Sequence, residues 1–102
     1  MSALVIVSGT FRMAPDRIED WRPHAIAMLK ATRAEPGCRV YSYSQDAEDP
    51  GLIRVYEEWE SRDALADHFS TPHMKTWRAA LARIGTFDRD LRLFEASEGE
   101  PV

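Results

Sequence analysis

Stretches with a hydrophobic period of two and stretches with a period near 3.6 follow one another in a single order along this chain. They run strand, helix, strand, strand, helix, strand, and few folds accept that order. Ala3 to Met13 is β-branched and apolar. It ends at Met13-Ala14-Pro15-Asp16, where Pro15 suits a first helical position and Asp16 suits the positive end of a helix. Ile18, Trp21, Ala25, Met28 and Thr32 then recur at steps of three and four. Glu35-Pro36-Gly37 stops this helix, because proline disfavours helical geometry in the residue before it and glycine takes the turn. Cys38 to Gln45 and Leu52 to Glu60 read as a hairpin joined by the polar turn Asp46-Ala47-Glu48-Asp49-Pro50-Gly51. Ser61 stands as N-cap to a short helical piece with Ala64, Leu65 and Phe69. Thr71 and Pro72 then start another, on which Met74, Trp77, Leu81 and Ile84 repeat until Gly85. Phe87 to Glu95 is the last strand, and a polar tail begins at about residue 96.

This order is the split βαβ arrangement of the ferredoxin-like α+β folds, an antiparallel sheet with helices on one face, here a single domain over residues 1–102. Such a sheet leaves its other face wet, yet these strands are apolar on both. Leu4 and Ile6 oppose Val5, Val7 and Phe11, and Tyr41, Tyr43 and Tyr56 oppose Val40, Val55 and Trp59. A second copy of the sheet is the economical cover, which predicts a homodimer with Tyr41, Tyr43 and Tyr56 or their strand neighbours at its interface.

Charge and cysteine content narrow the function. The 13 Lys and Arg against 17 Asp and Glu leave a net charge of −4 with no basic run, which argues against nucleic acid and anionic membrane as partners. A single cysteine, Cys38, forms no intramolecular disulfide and no zinc ribbon, and a reducing cytoplasm suits it. No apolar run approaches the length of a membrane span or a secretory core.

Glu35-Pro36-Gly37-Cys38, Tyr41, Glu57-Glu58-Trp59-Glu60-Ser61 and His68-Phe69-Ser70-Thr71-Pro72-His73-Met74-Lys75 together make a specific pattern. From the first strand to Phe94 the chain resembles the antibiotic biosynthesis monooxygenase family of dimeric α+β barrels. Within that family it is most similar to the small quinol monooxygenases, which share T-P-H-M-K. The isomerases of phosphorylated dione sugars, which share H-x-x-T-P-H, come next. The resemblance implies a cofactor-free reaction of molecular oxygen with a hydroquinone or polyphenol-type small molecule in an apolar pocket between sheet and helices. Haem-degrading relatives require an Asn and a His that fall near Ser8 and Arg78 here, so haem breakdown is not implied.

His73, in the first turn of its helix, is the first candidate for the base that takes a phenolic proton. The helix start disfavours a charged imidazole, and a neutral one is a usable base. His68 is its assistant. The two lie five residues apart, which is not the spacing that puts a zinc pair on one helix face, and no metal or other cofactor is expected. Trp59, Phe69 and Trp77 are candidates to stack on a flat substrate, although helical and strand spacing makes them core residues first. Glu57 shares a strand face with Val55 and Trp59, so its carboxyl must be paired or protonated, and it is a candidate to bind a substrate hydroxyl. Ser8 is a candidate substrate contact if Leu4 and Ile6 face the helices. Cys38 reads as a small core residue rather than a nucleophile. An isomerase or tautomerase of a small carbonyl compound, or a dimeric ligand-binding module without turnover, are the alternatives.

Overall fold

In the computed structural model, which describes residues 4–102, the strands are β1 (Leu4–Arg12), β2 (Cys38–Gln45), β3 (Leu52–Trp59) and β4 (Phe87–Ala96). A 3-10 turn (Pro15–Arg17) leads into helix α1 (Ile18–Arg33), and α2 (Arg62–Phe69) and α3 (Pro72–Ile84) follow β3. The sheet has the order β2-β3-β1-β4 with every pair antiparallel, the ferredoxin-like arrangement. Ala3, where the first strand is expected to begin, lies outside the described residues.

The boundaries have local causes. Ser61 Oγ accepts from the Ala64 amide at 3.0 Å and Thr71 Oγ1 from the Met74 amide at 3.3 Å, so two caps start two separate helices. Gly85 closes α3 in the left-handed conformation, φ 90°, where a glycine costs least. The five apolar-periodic positions of α1 are all buried and lie on the sheet.

Strand alternation decides which residues meet the helices. Val5, Val7, Phe11, Tyr41, Ile53, Val55 and Trp59 join Trp21, Met28, Met74 and Trp77 in one core, and Tyr43 stacks on Trp77 with centroids 5.2 Å apart. Tyr41 and Tyr43 therefore belong to the helix side, and the expectation that they form a dimer interface is corrected. The residues on the open face are Ile6 and Ser8 of β1, Val40 and Ser42 of β2, Tyr56 of β3 and Phe94 of β4, which the register sets side by side. The condition for Ser8 to reach substrate, that Leu4 and Ile6 face the helices, is not met. Because Val5 and Val7 face the helices, Ser8 points away from them.

Candidate active site

Glu35 organises the candidate site. Its Oε2 lies 2.7 Å from Nδ1 of His68 and 2.6 Å from Nε2 of His73. Two features bring it there. Gly37, at φ 84°, lets the chain turn sharply after Pro36, and a β-carbon at Gly37 would lie 2.6 Å from that of Ala64, so only a glycine lets α2 sit this close to the turn. Thr71 Oγ1 also donates to the His68 carbonyl at 2.8 Å, which fixes the junction between α2 and α3 and hence the relation of the two imidazoles.

A carboxylate accepts, so a neutral His68 carries its proton on the Nδ1 that faces Glu35 and leaves Nε2 free to accept, while His73 meets the same oxygen through Nε2. Both rings turn toward one carboxylate, but they do not share a cavity. His68, 1% exposed, lines a pocket of about 60 Å³ between the sheet and α2–α3. His73, about a quarter exposed, lines a larger cleft of about 130 Å³ between α1 and α3, with His24 and Thr76 as its other polar side chains. His73 thus opens on the α1–α3 cleft and not on the sheet–helix pocket in which a substrate is expected. Its Nε2 is drawn to a carboxylate that lies 38 residues earlier in the chain.

The smaller pocket gathers the denser chemistry. Tyr41, Tyr43, Glu57, His68 and Arg89 enter it among Phe69, Trp77 and aliphatic side chains. Burial lowers the proton affinity of His68, against the opposing pull of the Glu35 hydrogen bond and charge. Burial also pushes the Glu57 carboxyl up to about 7, while the Trp59 hydrogen bond and the Arg89 charge restrain the rise. Arg89 forms no ion pair among the described residues. The Tyr41 and Tyr43 hydroxyls bond to each other, and burial raises both above the usual phenol value.

Of the residues expected to touch substrate, Glu57, Phe69 and Trp77 line this pocket. Ser8 is on the opposite sheet face. Trp59 is fully buried and its Nε1 donates to Glu57 Oε1 at 2.9 Å, so it holds Glu57 rather than a ligand. Cys38 sits at the edge of the core, and burial pushes its thiol up to about 11, so it is no ready nucleophile. Glu35 and Arg89 are the site residues that spacing does not reveal, although Glu35 stands in the E-P-G-C turn.

Glu35, His68 and His73 offer three ligand atoms within 4.8 Å of one another. Metal bonds of about 2.0–2.1 Å would place ligands 2.6 Å apart at an angle of about 80°, far from tetrahedral, whereas 2.6–2.7 Å is an ordinary charge-assisted hydrogen bond. The observed geometry is that of hydrogen bonds.

The site thus joins a histidine braced by a carboxylate to a second, largely buried carboxyl that lines the same aromatic pocket. Residues 4–80 match the family model for antibiotic biosynthesis monooxygenase, and the chain belongs to that family. Rv0793 of Mycobacterium tuberculosis, provisionally named a monooxygenase, is 36% identical over 86 residues, 84% of each chain. An Escherichia coli isomerase of (4S)-4-hydroxy-5-phosphonooxypentane-2,3-dione is 38% identical over 60 residues, 59% of this chain and 62% of that one. A Synechocystis protein without an assigned activity is 32% identical over 69 residues, and the chain spans 47% of its length. Among solved structures, one from Deinococcus radiodurans, provisionally assigned to the same monooxygenase class, superposes with a TM-score of 0.88 at 28% identity, covering 96% of this chain and 97% of that one. The Rv0793 structure gives a TM-score of 0.75 at 28% identity, with 98% of each chain covered.

Proposed function

We propose that this chain is a cofactor-independent monooxygenase that oxidises a hydroquinone or polyphenol-type small molecule with molecular oxygen, with His68 as the base. One observation carries the reading: His68 is the imidazole that lines the aromatic pocket, with Nδ1 committed to Glu35 and Nε2 left to accept. A phenolic hydroxyl, pKa ~10, is held too tightly to ionise unaided at pH 7, and a positioned base makes the electron-rich phenolate that reduces oxygen. Arg89 lies at the same pocket and stabilises that phenolate, while Trp77 and Phe69 contact the ring. His73 shares the Glu35 oxygen and acts on His68 through it. Oxygen uptake with a series of dihydroxy aromatics tests the reading, and a crystal soaked with hydroquinone should show the ring beside His68.

The E. coli isomerase relative supports a second reading, proton transfer next to a carbonyl, for which the same histidine suffices. It predicts turnover without oxygen uptake. A dimeric ligand-binding module would show neither. No helix among the described residues is long and apolar enough to cross a membrane. A chain with a single cysteine has no partner for an intramolecular disulfide, which suits the reducing cytoplasm in which we place it.

The working unit we propose is a homodimer joined through the open sheet face. Phe94, half exposed, pairs with Ile6 in the ladder, and Tyr56 beside them is 37% exposed. Sedimentation should give a dimer at micromolar concentration, and Phe94→Asp should shift it toward monomer by placing a charge in an apolar contact. A wild-type monomer would refute the dimer.

The hydrogen-bond geometry of Glu35, His68 and His73 predicts an enzyme that needs no metal. Protein as purified should hold zinc and iron well below one per chain, and chelators should leave turnover unchanged. Stoichiometric metal whose removal abolishes activity would overturn this.

A further inference from the structure

The proposed oxygenation needs a proton donor as well as a base. One hydroquinone and one O₂ give one hydroxyquinone and one water. The phenolate passes an electron to O₂, the two radicals join in a C–O bond, and the peroxide oxygen takes back the phenolic proton. The O–O bond then breaks as the ring C–H proton leaves, the electron pair of that C–H bond closes the new carbonyl, and the outer oxygen departs with the O–O electrons. Departing as water rather than hydroxide requires one more proton.

We propose that Glu57 is the donor of that proton, an inference that rests on the oxygenase reading above. Its side chain is 6% exposed and reaches the same pocket as His68. Trp59 Nε1 fixes Oε1 at 2.9 Å, whereas Oε2 has no hydrogen-bond partner among the described residues, so the carboxyl is aimed and half-committed, with one oxygen left for a ligand. The proton ledger closes: His68 ends the cycle with the ring-carbon proton, Glu57 ends it ionised, and transfer from one to the other restores both.

The surroundings keep a proton on Glu57 near neutral pH. Burial raises the carboxyl from the ordinary carboxylate range to about 7. Facing it are Tyr41 and Tyr43 from β2, both held in the neutral form, His68 from α2 and the Arg89 guanidinium from β4. β1 and α3 offer apolar side chains, Val7 and Phe11 on one side and Met74, Trp77 and Leu81 on the other. The Glu35 charge beyond His68 pushes in the same direction as burial.

Glu57→Gln tests this, because glutamine keeps the shape and the carbonyl that accepts from Trp59 but has no proton to give. With hydroquinone at pH 7, the wild type should form one hydroxyquinone per O₂ without hydrogen peroxide. The variant should form hydroxyquinone ~10²-fold more slowly, as expected for a lost general acid, and release hydrogen peroxide from the stranded intermediate. The wild-type rate should also fall as pH rises past 7, and this limb should vanish in Glu57→Gln and return in Glu57→Asp. A variant with wild-type rate and product ratio overturns the assignment of Glu57 alone. So does a uniform loss of rate with no peroxide and an unchanged pH profile, which would mark a structural prop. Absence of oxygen uptake by the wild type overturns the oxygenase reading instead.

Discussion

His68→Asn is expected to lower hydroquinone turnover by ~10²-fold or more with the fold intact, the usual cost of losing a general base. Asparagine is chosen because its side-chain amide can still donate to Glu35 in place of Nδ1, which lies 2.7 Å from Oε2, while nothing replaces the Nε2 lone pair. The pH profile gives an independent check. Burial lowers the proton affinity of His68, so activity should rise with pH through an ionisation below the ordinary histidine value near ~6.5, since the ring is a base only when Nε2 is free. His73→Ala should cost far less, because His73 opens on the α1–α3 cleft rather than on the pocket that His68 lines. Equal losses in the two variants, or full activity of His68→Asn, would remove His68 from the role of base.

The different fates of His68 and His73 mark the limit of what local sequence signals carry. Those signals locate nearly every element. Ser61 and Thr71 cap the helices as their positions suggest, and β2 runs over the expected residues. The motif H-x-x-T-P-H singles out the two imidazoles that meet Glu35. Helix-start reasoning favours His73, however, because it uses only neighbours in sequence. The partner that orients both rings comes from the turn after α1, and that long-range contact has no local signature. Faces fail for a related reason. When both sides of a strand are apolar, alternation says which residues share a side but not which side meets the helices. Ser8, Tyr41 and Tyr43 therefore lie on faces opposite to those expected. The ladder shift between Cys38 and Val40 also hides the fact that Tyr41 and Tyr43 share a face with Val55 and Trp59. Glu57 is legible because a carboxyl between Val55 and Trp59 is anomalous by itself.

That anomaly predicts a stability that falls with rising pH. Glu57 has its carboxyl raised from 4.5 to about 7 in the folded chain, so the native state holds a proton that the unfolded state gives up. The contribution is complete below about pH 4.5, declines through the interval, and is gone above about 7. Its size is on the order of 3 kcal/mol, because each tenfold difference in proton affinity between the two states is worth ~1.4 kcal/mol. Glu57→Gln is neutral throughout and keeps the acceptor for Trp59 Nε1, so it should be more stable than the wild type at pH 8, with the gap closing toward pH 4.5. Urea denaturation of both proteins at several pH values measures this directly, and superimposable curves would show that the folded state does not hold the carboxyl proton. The substitution expected to strand the peroxide intermediate is thus also expected to stabilise the alkaline form, because the ionisable carboxyl proposed to give its proton is what destabilises the core above neutrality.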